Sequence, residues 1–358
     1  MVTRQDGGST FPTTPGSYRT SFIGGEWDIA ILKYDSAGAN VLYATYLGGN
    51  GTDTPQSLVV NKAGELLVLG VTSSTDLPVT NASVFSGGVS VDPLGGTDYD
   101  AGSDIFVAKL SENGSALLNE TYLGGSSNDG LNFITGSMLT NSKIESPLAR
   151  NYGDQLRSDI ITDDDGFVYL TSNTSSTDFP IVSSATVFGG GSHDAIVVKL
   201  KADLSSIVWS RFLGGSDTDA AYSIKLDKDN SVYVSGGTRS VNFPGMTGLH
   251  TSLQGGVDGW IAHLSADGTQ VLAGTYLGTS SYDQSYFIDL ASTGEVYAFG
   301  QTQGQYPVVG NVYNNPHSGQ FIHKLSGDLK TTIFSTVIGS GGNSPNISPT
   351  AFLVSDPK

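Results

Sequence analysis

Asp104-Ile-Phe-Val-Ala-Lys109, Tyr122-Leu-Gly-Gly125, Gly166-Phe-Val-Tyr-Leu170 and Thr177-Asp-Phe-Pro180 stand in that order along the chain, and the same phrase occurs five times. The first copy reads Asp28-Ile-Ala-Ile-Leu-Lys33, Tyr46-Leu-Gly-Gly49, Gly64-Glu-Leu-Leu-Val-Leu-Gly70 and Thr75-Asp-Leu-Pro78. The third has Asp194 to Lys199, Phe212-Leu-Gly-Gly215, Val232 to Gly236 and Val241-Asn-Phe-Pro244. The fourth has Asp258 to His263, Tyr276-Leu-Gly-Thr279, Glu295 to Gly300 and Gly304-Gln-Tyr-Pro307, and the fifth keeps Phe321 to Leu325 and Val337-Ile-Gly-Ser340. A repeat of this length fixes the architecture before any one residue is interpreted. A side chain present in every copy is then a candidate for building the fold before it is a candidate for chemistry.

Within each copy the apolar residues fall in runs of about five to seven, rich in Val, Ile, Tyr and Phe and bounded by Gly, Asp, Asn or Pro, which is the grammar of strands. No stretch keeps a helical period between caps. Four runs per copy can be counted: in one blade they are Ser57–Val60, Glu65–Val71, Ile105–Leu110 and Leu117–Leu123, named A to D. Asn61–Gly64, Asp163–Gly166 and Asp227–Asn230 read as A–B hairpin turns, and Asp35–Gly38, Glu112–Gly114 and Ala266–Gly268 as C–D turns, with Gly or Asn supplying positive φ. Four antiparallel strands repeated about an axis predict an all-β protein, a β-propeller with five blades in one domain, residues 1–358. Closure is expected from Thr350–Val354, a lone A strand that would join the N-terminal strands. Six or seven blades are the alternative if the chain is part of a longer one.

Loop lengths orient the ring. A–B and C–D turns are short throughout, whereas B–C and D–A loops are long and unequal, and the region 128–151 has no counterpart in the other copies. B–C and D–A loops emerge on one face, so that face is expected to be the working surface.

Composition narrows the function. The formal net charge is −17 over 358 residues, which argues against nucleic acid and anionic membranes as partners. There is no Cys, hence no disulfide framework or thiol nucleophile. No apolar run is long enough for a transmembrane helix. The five His are scattered, and neither an HExxH nor a GxSxG motif is present.

Two recurring acids remain. Asp28, Asp104, Asp194 and Asp258 open strand C, five residues before Lys33, Lys109, Lys199 and His263. Odd spacing places the two on opposite faces of a strand, so the Asp is read as a cap of the preceding turn and the Lys or His stem as cover for the blade edge. Asp53, Asp129, Asp219 and Asp283 follow the Gly-Gly step, with Asn343 in the fifth copy. Near one channel mouth these four could hold Ca²⁺, a hard cation that takes oxygen ligands; the plainer reading is turn capping. No other cofactor is implied. Trp27, Tyr99, Tyr152, Tyr306 and Tyr313, aromatic residues unique to loops, could form a ligand platform on the long-loop face, whereas Trp209 and Trp260 fall in strands and read as packing residues.

The combined phrase, Asp104 to Leu110, Thr121 to Gly125, Gly166 to Thr171 and Ser175 to Pro180, resembles the SBBP family of bacterial β-propeller repeats over nearly the whole chain. The resemblance implies a secreted or surface-exposed bacterial protein of Bacteroidetes type, outside the outer membrane, in a gliding, adhesion or type IX secretion setting, and it brings no catalytic residues with it. The expected function is therefore non-catalytic: a module that binds a protein or glycan partner through the long-loop face, or a scaffold in a larger protein. The alternative is a carbohydrate-active enzyme, glycosidase or lyase, using carboxylates in the central channel.

Overall fold

A computed structural model describes residues 1–7, 11–79, 85–86, 102–135, 144–151, 153–342 and 347–355. Blade 1 contains β1 (Val2–Asp6), β2 (Trp27–Tyr34) and β3 (Val41–Leu47). Blade 2 contains β4 (Asp53–Val60), β5 (Leu66–Thr72), β7 (Asp104–Leu110) and β8 (Leu117–Gly124), with the short β6 (Phe85–Ser86) parallel to β8. β9 (Phe133–Thr135) and β10 (Ile144–Glu145) pair separately within the insertion. Blade 3 is β11 (Asp159–Thr162), β12 (Val168–Thr174), β13 (Asp194–Leu200) and β14 (Ile207–Leu213). Blade 4 is β15 (Asp219–Leu226), β16 (Val232–Thr238), β17 (Asp258–Leu264) and β18 (Val271–Leu277), and blade 5 is β19 (Asp283–Leu290), β20 (Val296–Thr302), β21 (Gln320–Leu325) and β22 (Thr332–Ile338). Every ladder from A to D is antiparallel between sequence neighbours. The fold is the expected five-blade propeller.

The core lies between blades. One apolar cluster joins Ile31 and Tyr43 of blade 1 to Phe106 of blade 2, and equivalent clusters join blades 2 and 3, 3 and 4, and 4 and 5. A blade buries both faces only when a neighbour is stacked on each side, as in other repeat architectures.

The C–D turns show how adjacent copies fit one another. Gly114 and Gly268 have φ of +67° and +71°, and a side chain at either would collide with Tyr43 or Trp209 of the preceding blade. At the same point in blades 3 and 5 stand Leu204 and Leu329, buried and at φ +55° and +59°. There the preceding blade carries Asn119 or Ala273, in register with Tyr43 and Trp209. A large residue from one blade meets Gly, and a small one meets Leu. Left-handed Leu is unfavourable, so the strain is retained because the side chain fills the gap.

Closure differs from the expectation. Residues 350–354 form no strand, and β1-β2-β3 remains three-stranded. The C-terminal segment is held by blade 5 and by Arg157, just before β11, instead. The Ile347 carbonyl accepts from Gln301 and Gln320, the Pro349 carbonyl accepts from Arg157, the Val354 N–H donates to Asp289, and Phe352 packs on Phe299. The seam is accordingly looser than the other four interfaces. Tyr34 of blade 1 is 46% exposed, whereas Leu110, Leu200, Leu264 and Leu325, at the same position, are 0% exposed.

Candidate functional site

The repeated carboxylates are explained by the local chain. Asp219 opens β15, and its Oδ2 accepts from the Gly215 N–H at 2.6 Å and the Ser240 hydroxyl at 2.8 Å, while Oδ1 accepts from the Thr238 hydroxyl. Asp53 accepts from Gly49 and Ser74, and Asp129 from Gly125, Ser176 and Thr174. The Asp after Gly-Gly thus fastens the D–A turn to a Thr-x-Ser at the end of strand B. The acid or amide of the Asp-Leu-Pro phrase closes the other side: Asp76, Asp178 and Asn242 accept from the N–H of Asn50, Ser126 and Ser216. Separate words of the repeat are parts of one latch.

The fourth copy tests this reading from within the chain. It has Thr279 where the others have the second Gly, and Gly304 where they have the Ser. Thr279 donates its hydroxyl to Asp283 at 2.8 Å, and a side chain at Gly304 would collide with it. In the other latches a Cβ at Gly215 would lie 2.6 Å from the Ser240 Cβ. Gly215→Thr alone is therefore expected to cost about 1–3 kcal/mol by overpacking. Adding Ser240→Gly should restore stability to within about 1 kcal/mol, a coupling that a double-mutant cycle measures by denaturant unfolding.

Asp28, Asp194 and Asp258 cap the preceding Gly-rich turns as expected, accepting from the N–H of Ile23, Gly189 and Gln254. Lys33 and Lys109 reach across to the C–D turn of the next blade, donating to the carbonyls of Glu112 and Ala202. The capping Asp and the latch Asp meet across a glycine: a Cβ at Gly48 would lie 2.7 Å from Asp28 Oδ1 and 2.8 Å from Asp53 Oδ2. Burial, and secondarily the facing carboxylate, pushes Asp104 and Asp194 up to about 8. Burial pushes Asp129 up to about 7, and Asp53 and Asp219 up to about 6, against the pull of their hydrogen bonds. Asp53, Asp129, Asp219 and Asp283 are all fully buried within their own blades. Each is engaged by its own latch, and no group of three or more His, Cys, Asp or Glu suited to a metal occurs among the described residues.

The aromatic candidates do not converge. Tyr306 is 6% exposed, stacked on Phe321 at 4.0 Å with its hydroxyl on His323, so it is a core residue and not a platform. It stands where Leu77, Phe179 and Phe243 stand in other copies, a match of position that marks it as core. Trp27 is half-buried at the start of β2, and Tyr313 is 78% exposed beside blade 5. Tyr99, Tyr152 and Asn343 lie outside the described residues. Trp209 and Trp260 are buried, as expected of packing residues.

The long-loop face holds a different constellation. Residues 148–151 of the insertion lie as a plug on the A strands of blades 4 and 5, the strands that line the axis of a propeller. The Leu148 carbonyl accepts from Tyr222 and Gln284, and the Asn151 amide donates to Tyr286 and Gln301. Asp154, fully buried, accepts from the Arg150 and Asn151 N–H groups, from Arg157 Nε at 2.7 Å and from the Tyr286 hydroxyl. Beside this plug lies a cleft of about 670 Å³, walled by the insertion, the B–C loop of blade 4 and the D–A loop that joins blades 4 and 5. Arg150 and Arg239, two of six arginines in the chain, line it, with no carboxylate and no imidazole in the lining. The repeat-breaking insertion pointed to this region; the pairing of the two arginines, 89 positions apart, had no signal in the sequence.

No family model matches the chain, and no curated protein matches it. Similar solved structures include a protein of unknown function from Dyadobacter fermentans, 10% identical over 89% of this chain and 74% of that one, with a TM-score of 0.43. A NanB sialidase mutant from Streptococcus pneumoniae is 8% identical over 91% of this chain and 59% of its own, with a TM-score of 0.43. CoXyl43, a GH43 β-xylosidase/α-arabinofuranosidase from a compost microbial metagenome, is 10% identical over 81% and 92%, with a TM-score of 0.33. Likeness at this level concerns overall shape and transfers no site.

Proposed function

We propose that this chain is a non-catalytic propeller module that binds a protein or glycan partner through its long-loop face. The observation that carries the reading is the cleft beside the channel plug, which presents two cations, three serines and a tyrosine but no carboxylate and no imidazole. The carboxylates on the channel side, Asp154 and Asp159, are engaged by protein donors: Asp159 accepts from the Ser57 hydroxyl and the Ile224 N–H. Most glycosidases use two carboxyl groups flanking the substrate bond, one of them placed to donate a proton. The SBBP-like phrase supports reading the module as part of a secreted or cell-surface bacterial protein of Bacteroidetes type, where a rigid ring with few open strand edges suits exposure.

Incubation with a polysaccharide panel is expected to release no reducing ends, while glycans or cell-envelope proteins are retained on the immobilised protein. Retention should be lost when the cleft is filled by Gly256→Gln. Turnover of any polysaccharide that Asp154→Asn abolishes would establish the enzymatic alternative instead.

A further inference from the structure

We propose that the cleft is a receptor site for the carboxylate of an acidic sugar; this rests on the binding-module reading above and gives it a ligand class. The insertion and the B–C loop of blade 4 each contribute an arginine to the lining. Arg150 comes from the insertion. Its backbone N–H is fixed by Asp154 at 2.8 Å, and its guanidinium lies 4.2 Å from the centre of the Tyr282 ring, which is itself buried. Arg239 follows β16, and its backbone N–H is bonded to the Thr218 carbonyl at 3.0 Å. Its nearest anion is Asp217 at 3.8 Å, and the two side chains are 44% and 41% exposed. An ion pair so exposed contributes little, so a ligand anion can replace it.

The lining selects the chemistry. Guanidinium groups present coplanar N–H pairs that match a carboxylate, and Lys does not reproduce this geometry. The remaining polar lining is Ser146, Ser280 and Ser281, small hydroxyl groups suited to the hydroxyls of a sugar ring. Space is available: nothing lies within 4 Å of where a Cβ at Gly256 would stand. At about 670 Å³ the cleft accommodates more than a single sugar ring. In a chain of net charge −17, two arginines brought to one cleft give an acidic ligand a local positive site on an otherwise repelling molecule.

The test is isothermal titration at low salt with sodium glucuronate and N-acetylneuraminate, with glucuronate methyl ester, glucose and inorganic phosphate as controls. The sugar acids should bind at least tenfold more tightly than the ester or glucose. Arg239→Ala should lose at least tenfold with an unchanged melting temperature, and Arg239→Lys should recover only part of the loss. Gly256→Gln, which leaves both arginines and has room to fold, should also abolish binding. Equal affinity for acid and ester, phosphate binding as tight as the sugar acids, or indifference to both variants would overturn the proposal. If no acidic sugar binds but a neutral glycan or an envelope protein is still retained, this inference fails and the binding-module reading stands. If nothing is retained, both fail.

Discussion

Asp219→Ala is expected to destabilise the fold by about 3–5 kcal/mol, the combined cost of several buried donors orphaned together. Three donors lose their acceptor at once, the Gly215 N–H and the hydroxyls of Thr238 and Ser240, and all three lie in a region closed to water. A buried donor left without a partner costs about 1–3 kcal/mol. Asp219→Asn keeps one acceptor oxygen and removes the charge that burial disfavours, so its loss should be smaller, about 1–2 kcal/mol. Urea unfolding of the three proteins, with and without EDTA and Ca²⁺, measures this. Equal stability of the Ala variant and the parent would mean that the latch holds nothing. A loss that appears only when Ca²⁺ is present would make Asp219 a metal ligand.

The latch also shows how much of the molecule was legible in its sequence. The four-strand grammar and the hairpin turns were readable because both depend on local patterns, alternation and positive φ, and the turns have that geometry at Gly64, Gly166 and Asn230. The capping role of Asp28, Asp194 and Asp258 was readable for the same reason. The latch was harder to see. Gly-Gly, the following Asp and Thr-x-Ser were visible as words, but that they touch depends on the ladder that brings the end of strand B beside the D–A turn. Closure was misread because Thr350–Val354 has the alternation of a strand, while the hydrogen bonds that fix the segment come from Gln301, Gln320 and Arg157, which no local pattern connects to it. Tyr306 reads as a loop aromatic when Gly304 and Gln305 are weighed, and as core when the Pro307 that aligns it with Phe179 and Phe243 is weighed. The cleft depends on the path of the insertion, which nothing in the other repeats constrains.

The buried acid pairs set the pH response, and the melting temperature is expected to fall as pH rises from about 5 to 8. Asp28 and Asp53, Asp104 and Asp129, and Asp194 and Asp219 face each other across Gly48, Gly124 and Gly214. Burial, reinforced by the facing carboxylates, pushes Asp104 up to about 8 and, against a backbone hydrogen bond in each case, Asp28 up to about 7 and Asp194 up to about 8. An unfolded Asp titrates near 4, so between pH 4 and 8 the folded chain holds protons that the unfolded chain has released. Stability from a raised carboxyl is complete below the unfolded value and is lost as pH rises through the folded one. Each unit of displacement is worth about 1.4 kcal/mol, so one retained proton is worth several kcal/mol in each pair. The opposite limb comes from exposed turn acids such as Asp35 and Asp267, held low by hydrogen bonds from Asn40 and Ser265, whose contribution is lost as pH falls through their depressed values. Together the two limbs place maximum stability on the acid side of neutrality. Asp104→Asn should flatten the descending limb, since the amide keeps the shape and removes the titration. Melting temperatures at constant ionic strength from pH 4 to 9 decide the matter. A rise from pH 5 to 8 without added metal would contradict the proton-sharing account. A rise produced by Ca²⁺ and removed by EDTA would show that a cation, in place of a proton, joins each pair.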